Sequence, residues 1–372
     1  MHKKILVKGY FKRNLGDDLF LKVLTERYPE RQFEVIVDAE NAGYYSTFNN
    51  LHVIKRNFIF KALNKLLSLF SIGGIYSVLL YRYFAVIEIG GSIFPQPMKE
   101  PFIEKERMFL SNRIDHYFVI GSNFGPYSSK KFLDEYKNFF REIDGTVFRD
   151  KKSFSLFKKL DNVRYSPDVV LGMGNYNLKV NNTTQTRYAV ISAIDLGFKD
   201  ISRNTAITNK KVDYEKKLLN VILDLIDHGY EILFVPFSKT QNDLGVSAEL
   251  KERIERLRPT SKISILKEDN IEKKVTVIKN SSLIISTRYH AMILGWLYNI
   301  NQLVFIYSSK TRNVINDLFP EQYCYDLENN SSLKFEINKM NTINSKDINE
   351  IKKKAEQQFY YFDQLLMELK NK

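Results

Sequence analysis

Short apolar runs alternate with amphipathic stretches along almost the whole chain. Runs at 5–7, 32–37, 84–89, 117–121 and 146–148 have the length of buried strands, while 17–28, closed by Pro29, and 130–143 carry helical spacing. A strand covered on both faces reads as a continuous apolar run, so the pattern predicts parallel sheets with helices on either side. The alternation breaks at 172–186, a polar stretch rich in Gly, Asn and Thr. It resumes with strands at 188–192, 232–236, 263–266, 283–286 and 303–306. Helices are expected at 214–228, 246–257, 289–298 and 311–319, the last closed by Pro320. The final stretch, 345–370, reads as one long helix with Phe359, Phe362, Leu365, Leu366 and Leu369 on its apolar stripe. The predicted fold class is α/β: two Rossmann-like domains whose parallel sheets face across a cleft. An N-terminal domain over 1–173 precedes a C-terminal domain over 187–344, and a helix over 345–372 can pack back on the first domain. A length of 372 residues suits two such domains.

In doubly wound sheets, ligands bind beyond the carboxyl ends of the strands, so chemistry is expected there. After the first strand come Asn14-Leu15-Gly16-Asp17, in which Gly16 can take a backbone conformation forbidden to other residues and Asp17 can cap the following helix. Two further strands end in small residues, Gly90-Gly91-Ser92 and Gly121-Ser122-Asn123, where a backbone can come close to a ligand. Arg149 follows an apolar strand directly, and Asp150 can cap the next helix; Pro167-Asp168 follows a short polar turn. The most pointed segment is Ser286-Thr287-Arg288-Tyr289-His290, where a strand runs straight into a helical pattern. Arg suits carboxylate or phosphate, and His suits proton transfer near neutral pH. One strand later, Ser309 and Lys310 stand at the neighbouring strand end. His2, His52, His116 and His228 lack such a setting and read as structural.

Charge narrows the partners. Lys and Arg number 56 against 43 Asp and Glu, a formal +13 that favours anionic partners. Neither zinc-finger spacing nor an RNA-binding aromatic motif is present, so nucleic acid is disfavoured. No His/Asp/Glu spacing points to a metal. Gly-x-Ser-x-Gly and Gly-x-Gly-x-x-Gly are both absent, which disfavours a hydrolase and a dinucleotide cofactor. The single cysteine, Cys324, rules out a disulfide within the chain. Met1-His2-Lys3-Lys4 leads into only three apolar residues, too few for a signal peptide, so a cytoplasmic protein is expected. Residues 66–81 carry no charge. They are too few for a confident span, and two readings stay open: a buried helix with a loop, or a lipid-facing surface at the inner face of the membrane.

In their order, Asn14-Leu15-Gly16-Asp17, Gly90-Gly91-Ser92, Gly121…Gly125-Pro126, Arg149-Asp150…Ser153, Pro167-Asp168, Arg288-x-His290 and Lys310 resemble the polysaccharide pyruvyl transferase family. Ser92 departs from it, standing where the family often has a third glycine. The resemblance implies a fold like that of GT-B glycosyltransferases. It also implies phosphoenolpyruvate as co-substrate, no cofactor, and a sugar or lipid-linked oligosaccharide as acceptor of a pyruvate ketal. By the same resemblance, His290, Arg288, Arg149 and Lys310 map to donor binding or catalysis. In a mechanism that fits, His290 gives the proton and Asp17 or Glu88 takes one from the acceptor, so His290 and Asp17 are the catalytic candidates, with Glu88 a second candidate base. Arg288, Arg149, Lys310 and, from its place beside Lys310, Ser309 are expected to bind the donor. Asn14, Gly16, Gly90, Gly91, Ser92, Gly121 and Asn123, at the strand ends, are expected to bind the acceptor or form the cleft loops. A GT-B glycosyltransferase using a nucleotide sugar is the alternative.

Overall fold

The computed structural model describes residues 4–70, 73–175, 187–198, 205–329, 335–340 and 345–371. His2, residues 71 and 72 of the uncharged segment, and most of the polar break at 172–186 lie outside them. By contacts the chain divides into two units. The first holds Met1–Arg13, Asp17–Gly172 and Lys353–Lys372, and the second Asn14–Gly16 and Met173–Lys352.

The first unit is built on seven strands: β1 (Lys4–Lys8), β2 (Phe33–Asp38), β3 (Leu51–Arg56), β4 (Tyr83–Ile89), β5 (His116–Ser122), β6 (Gly145–Phe148) and β7 (Val163–Tyr165). All pair in parallel in the order β3-β2-β1-β4-β5-β6-β7. The second unit holds β8 (Tyr188–Ser192), β9 (Glu231–Phe234), β10 (Ile263–Ile265), β11 (Leu283–Ser286), β12 (Asn301–Ile306) and β13 (Cys324–Asp326). They too are parallel, ordered β10-β9-β8-β11-β12-β13. Central strands such as Ile5-Leu6-Val7 and Leu283-Ile284-Ile285 are buried throughout, which explains their unbroken apolar character. Strand order reverses between β1 and β4 in one sheet and between β8 and β11 in the other. These switch points open a crevice for ligands at the carboxyl ends.

Two departures from the sequence pattern have physical causes. The C-terminal stretch is not one helix: Ser345–Ala355 and Tyr360–Asn371 are separated by a 3₁₀ turn, Glu356–Phe359. That turn directs the buried Gln358 inward, where its oxygen accepts from Gly121 N at 2.9 Å. Its amide donates to the carbonyls of Ser166 and Pro167 at 2.7 and 2.9 Å. One side chain thus satisfies three buried backbone groups that the sheet leaves open. The second departure is the helix Phe58–Leu67, none of whose residues is buried.

Candidate functional site

In the first unit the glycine-ended strands meet around Arg149. Its guanidinium, buried at the end of β6, donates to Asp168 Oδ2 at 2.8 Å and to Asn123 Oδ1 at 2.9 Å. A side chain on Gly91 would overlap that guanidinium, so the residue there must be glycine. Gly91 O in turn accepts from Asn123 N at 2.7 Å and from the Ser122 hydroxyl at 3.0 Å. Ser92 Oγ donates to Asn123 Oδ1 at 3.1 Å. Gly121 occupies a bulge between β5 and β6 with a φ of +73°, a conformation that favours glycine. Asp150 caps the helix Lys151–Phe157, accepting from Ser153 N at 2.8 Å. Gly90, Gly91, Ser92, Asn123 and Arg149 therefore assemble at one end of the sheet.

Asp17 lies half-buried in the first turn of the helix Leu15–Arg27, and a side-chain carbon on Gly90 would lie 3.7 Å from its Oδ1. Glu88 is in a different setting. It is buried in β4, held by Arg107 Nε at 3.1 and 2.9 Å, with Lys8 Nζ at 3.7 Å. Burial pushes its proton affinity up, but Arg107 and Lys8 outweigh this and hold the carboxyl below its ordinary range. A carboxylate so stabilised is a poor base, which argues against Glu88 as the group that takes an acceptor proton.

In the second unit the switch point is tied by side chains to the strand ends. Ser192 Oγ, closing β8, accepts from Thr287 N and Arg288 N at 3.1 Å each. The Thr287 hydroxyl shares a 3.0 Å hydrogen bond with Tyr214 Oη. Arg288 stands just before the helix Tyr289–Leu297, and its guanidinium is buried against Asp243 and Gln241 in the segment after β9. Burial works against the charged guanidinium, yet Asp243 raises its pKa further, so it stays charged. Asp243 Oδ2 also accepts from Phe237 N and Ser238 N at 3.0 Å each. This carboxylate fixes the β9 loop and the β11 loop together.

His290 follows at the second helical position, half-buried. The Asn14–Gly16 segment belongs to the same unit. Leu15 N donates to Phe237 O at 2.9 Å, Asn14 Oδ1 accepts from Gly16 N at 3.3 Å, and Asn14 bridges Ser238. Gly16 packs so closely on His290 that any side-chain carbon there would overlap the imidazole. The imidazole also meets Tyr289 edge-to-face, ring centres 5.0 Å apart. Lys310 Nζ lies 6.0 Å from the centre of the Tyr289 ring, makes no ion pair among the described residues, and follows the exposed Ser309 beyond β12. The structure thus brings together Asn14, Gly16, Arg288, His290 and Lys310 in the second unit, and Arg149 with the glycine loops in the first. The remaining histidines within the described residues sit elsewhere: His52 beside Glu34 at 2.8 Å, His116 beside Asp144 at 2.9 Å, and His228 on Asp224 O at 2.8 Å.

Comparison with known proteins decides the family. The family model for polysaccharide pyruvyl transferase matches residues 14–309. The chain belongs to the polysaccharide pyruvyl transferase family. Membership makes it a transferase of polysaccharide biosynthesis. Solved structures share its GT-B-like fold at low identity. UDP-GlcNAc 2-epimerase from Methanocaldococcus jannaschii, solved with UDP-GlcNAc and UDP, is 12% identical at a TM-score of 0.54, covering 94% of this chain and 98% of that one. HepE of Anabaena, solved with UDP and glucose, is 12% identical at 0.56, covering 98% and 100%. UDP-GlcNAc 2-epimerase from Neisseria meningitidis, bound to UDP-GlcNAc, is 11% identical at 0.55, covering 98% and 100%. At these identities the likeness is one of fold, and every strand pairing in both units is parallel, as the Rossmann-like reading requires.

Proposed function

We propose that the chain transfers the enolpyruvyl group of phosphoenolpyruvate onto a pair of hydroxyls on a sugar of a cell-surface polysaccharide or its lipid-linked precursor. The product is a pyruvate ketal, with release of phosphate. Family membership supports the transfer. The observation that carries the mechanism is His290, packed on Gly16 and Tyr289 beyond β11, with Lys310 and Ser309 beyond the adjacent β12.

In this reading Lys310 and Ser309 receive the donor's anionic groups, while Arg288, held by Asp243, keeps the loop that presents His290 in place. Imidazolium His290 gives its proton to the methylene carbon of phosphoenolpyruvate. The central carbon then becomes an oxocarbenium-like centre. One sugar hydroxyl adds to it and its proton returns to His290. The bond from that carbon to the phosphate oxygen breaks, the second hydroxyl closes the ketal, and the last proton leaves with phosphate. No metal or redox partner enters this balance.

Two outcomes test the reading. Phosphoenolpyruvate at about a hundred times its dissociation constant should raise the melting temperature by roughly 5 °C, while UDP-GlcNAc should leave it unchanged. Stabilisation by UDP-GlcNAc alone would instead favour a nucleotide-sugar glycosyltransferase. Gly16→Ala tests the geometry. Gly16 is helical, so alanine is acceptable to the backbone and the added methyl meets the imidazole instead. Displacing a catalytic group by about 1 Å can cost a hundredfold. A loss of that order in phosphate release is expected, with the melting temperature nearly unchanged.

A further inference from the structure

We infer that the outward face of the helix Phe58–Leu67, with Leu69 and Phe70, docks on an anionic lipid bilayer. The helix has two distinct faces. Phe60 and Leu67 pack against the first unit's core, and Asn64 Oδ1 accepts from Ile75 N at 2.7 Å. Asn57 caps the start, accepting from Phe60 N at 2.9 Å. The helix is therefore seated by its inner face and leaves the other unpartnered within this unit. That outer face is apolar: Phe58 is 83% exposed, Ile59 73%, Leu66 53% and Phe70 83%, with Leu63 and Leu69 beside them. Apolar side chains concentrated in this way on a water-facing helix mark an interaction surface.

Charge selects the occupant. No Asp or Glu stands between Glu40 and Glu88, whereas Lys55, Arg56, Lys61, Lys65 and Arg82 do, the last held by Glu34 at 2.8 Å. Arg56 is engaged by Asp38 at 2.9 and 3.0 Å, and the three lysines make no ion pair among the described residues. At 100° per residue, Lys61 and Lys65 fall on one flank of the apolar arc formed by 58, 59, 62, 63 and 66. An apolar stripe bordered by lysines is the pattern of a helix lying in a membrane interface. A second copy of the chain would set these lysines against each other across a two-fold contact, which disfavours self-association. Ten residues are too short to span a bilayer, and no helix among the described residues is long and apolar enough to cross one. The helix would lie on the membrane. The surface is independent of the proposed donor chemistry, so either reading can fail alone.

Vesicle flotation of the purified full chain tests this. Binding to vesicles of phosphatidylcholine with phosphatidylglycerol should exceed binding to phosphatidylcholine alone by about tenfold, and should weaken as salt rises. The combined variant Ile59→Ser, Leu66→Ser, Phe70→Ser should lose about tenfold or more of that binding. These side chains are exposed, so its thermal unfolding should match the parent. Lys61→Glu with Lys65→Glu should reduce binding to anionic vesicles about fivefold per lysine, in line with the attraction a basic side chain feels near such a surface. Failure of the parent chain to float with anionic vesicles would overturn the inference. So would serine variants that float equally well. A dimer in sedimentation that the serine variants dissolve would also overturn it, assigning the face to a second copy.

Discussion

His290→Gln should release phosphate from phosphoenolpyruvate about a hundred- to ten-thousandfold more slowly than the natural chain, the range that one positioned proton donor supplies. Glutamine fills much of the imidazole's space and can still hydrogen-bond, but it does not deliver a proton. The side chain is half-buried and lies beyond β11 rather than in the sheet core, so folding should not depend on it. Donor affinity, read by thermal stabilisation with phosphoenolpyruvate, should change little, because the proposed anion contacts come from Lys310 and Ser309. Full turnover by this variant would remove His290 from the chemistry while leaving family and fold intact.

Asp243→Ala should produce the largest loss of stability. Its carboxylate is fully buried, pairs with Arg288, and accepts from two backbone amides of the β9 loop. Removing it strands a buried guanidinium and two donors, at a cost of about 3–5 kcal/mol. Trp296 is the sole tryptophan and is buried in the second unit, its indole donating to Gln322 Oε1 at 2.7 Å. Its fluorescence therefore reports directly on the packing of the second unit. The urea midpoint seen by Trp296 should fall by about 1 M or more. Adding Arg288→Met to an Asp243→Leu change should recover the part of the loss that comes from the stranded guanidinium, but not the part from the Phe237 and Ser238 amides, which stay without their acceptor. If Asp243→Ala left the midpoint unmoved, the carboxylate would not be fixing the Arg288 loop.

The same residues show how far the amino-acid pattern carries. The run Ile284-Ile285-Ser286 passing directly into Thr287-Arg288-Tyr289-His290 was legible because a buried strand must end where its side chains turn polar, and the next apolar spacing is helical. What Arg288 pairs with was not legible. Asp243 lies 45 residues earlier, and the partner of Arg149, Asp168, lies 19 residues later, so only the sheet order brings them together. Both arginines proved to be buried and matched by a carboxylate, whereas Lys310 is matched by none among the described residues. Residue type alone does not separate these cases.

Local periodicity also failed to say which face of an element is covered. In Phe58–Leu67 the polar side is the narrow arc of Lys61, Asn64 and Lys65, while Phe58, Ile59, Leu63 and Leu66 on one side and Phe60 and Leu67 on the other are all apolar, so the spacing does not show which of them packs inward. The edge strand β7 spans three residues, too few to show an alternation. The break at Glu356–Phe359 carries neither Pro nor Gly; it exists because Gln358 must reach the backbone at the ends of β5 and β7. Gly16 was expected to take a backbone conformation closed to other residues; it is helical instead, and the reason for glycine is that the imidazole of His290 occupies the space a side chain would need.

The most direct measurement is mass spectrometry of sugar acceptors, including lipid-linked oligosaccharides, incubated with the full chain and phosphoenolpyruvate. The account predicts an acceptor that gains the mass of one pyruvic acid less one water, with one phosphate released per ketal. An acceptor extended by a sugar from a nucleotide-sugar donor, with no such gain from phosphoenolpyruvate, would contradict it.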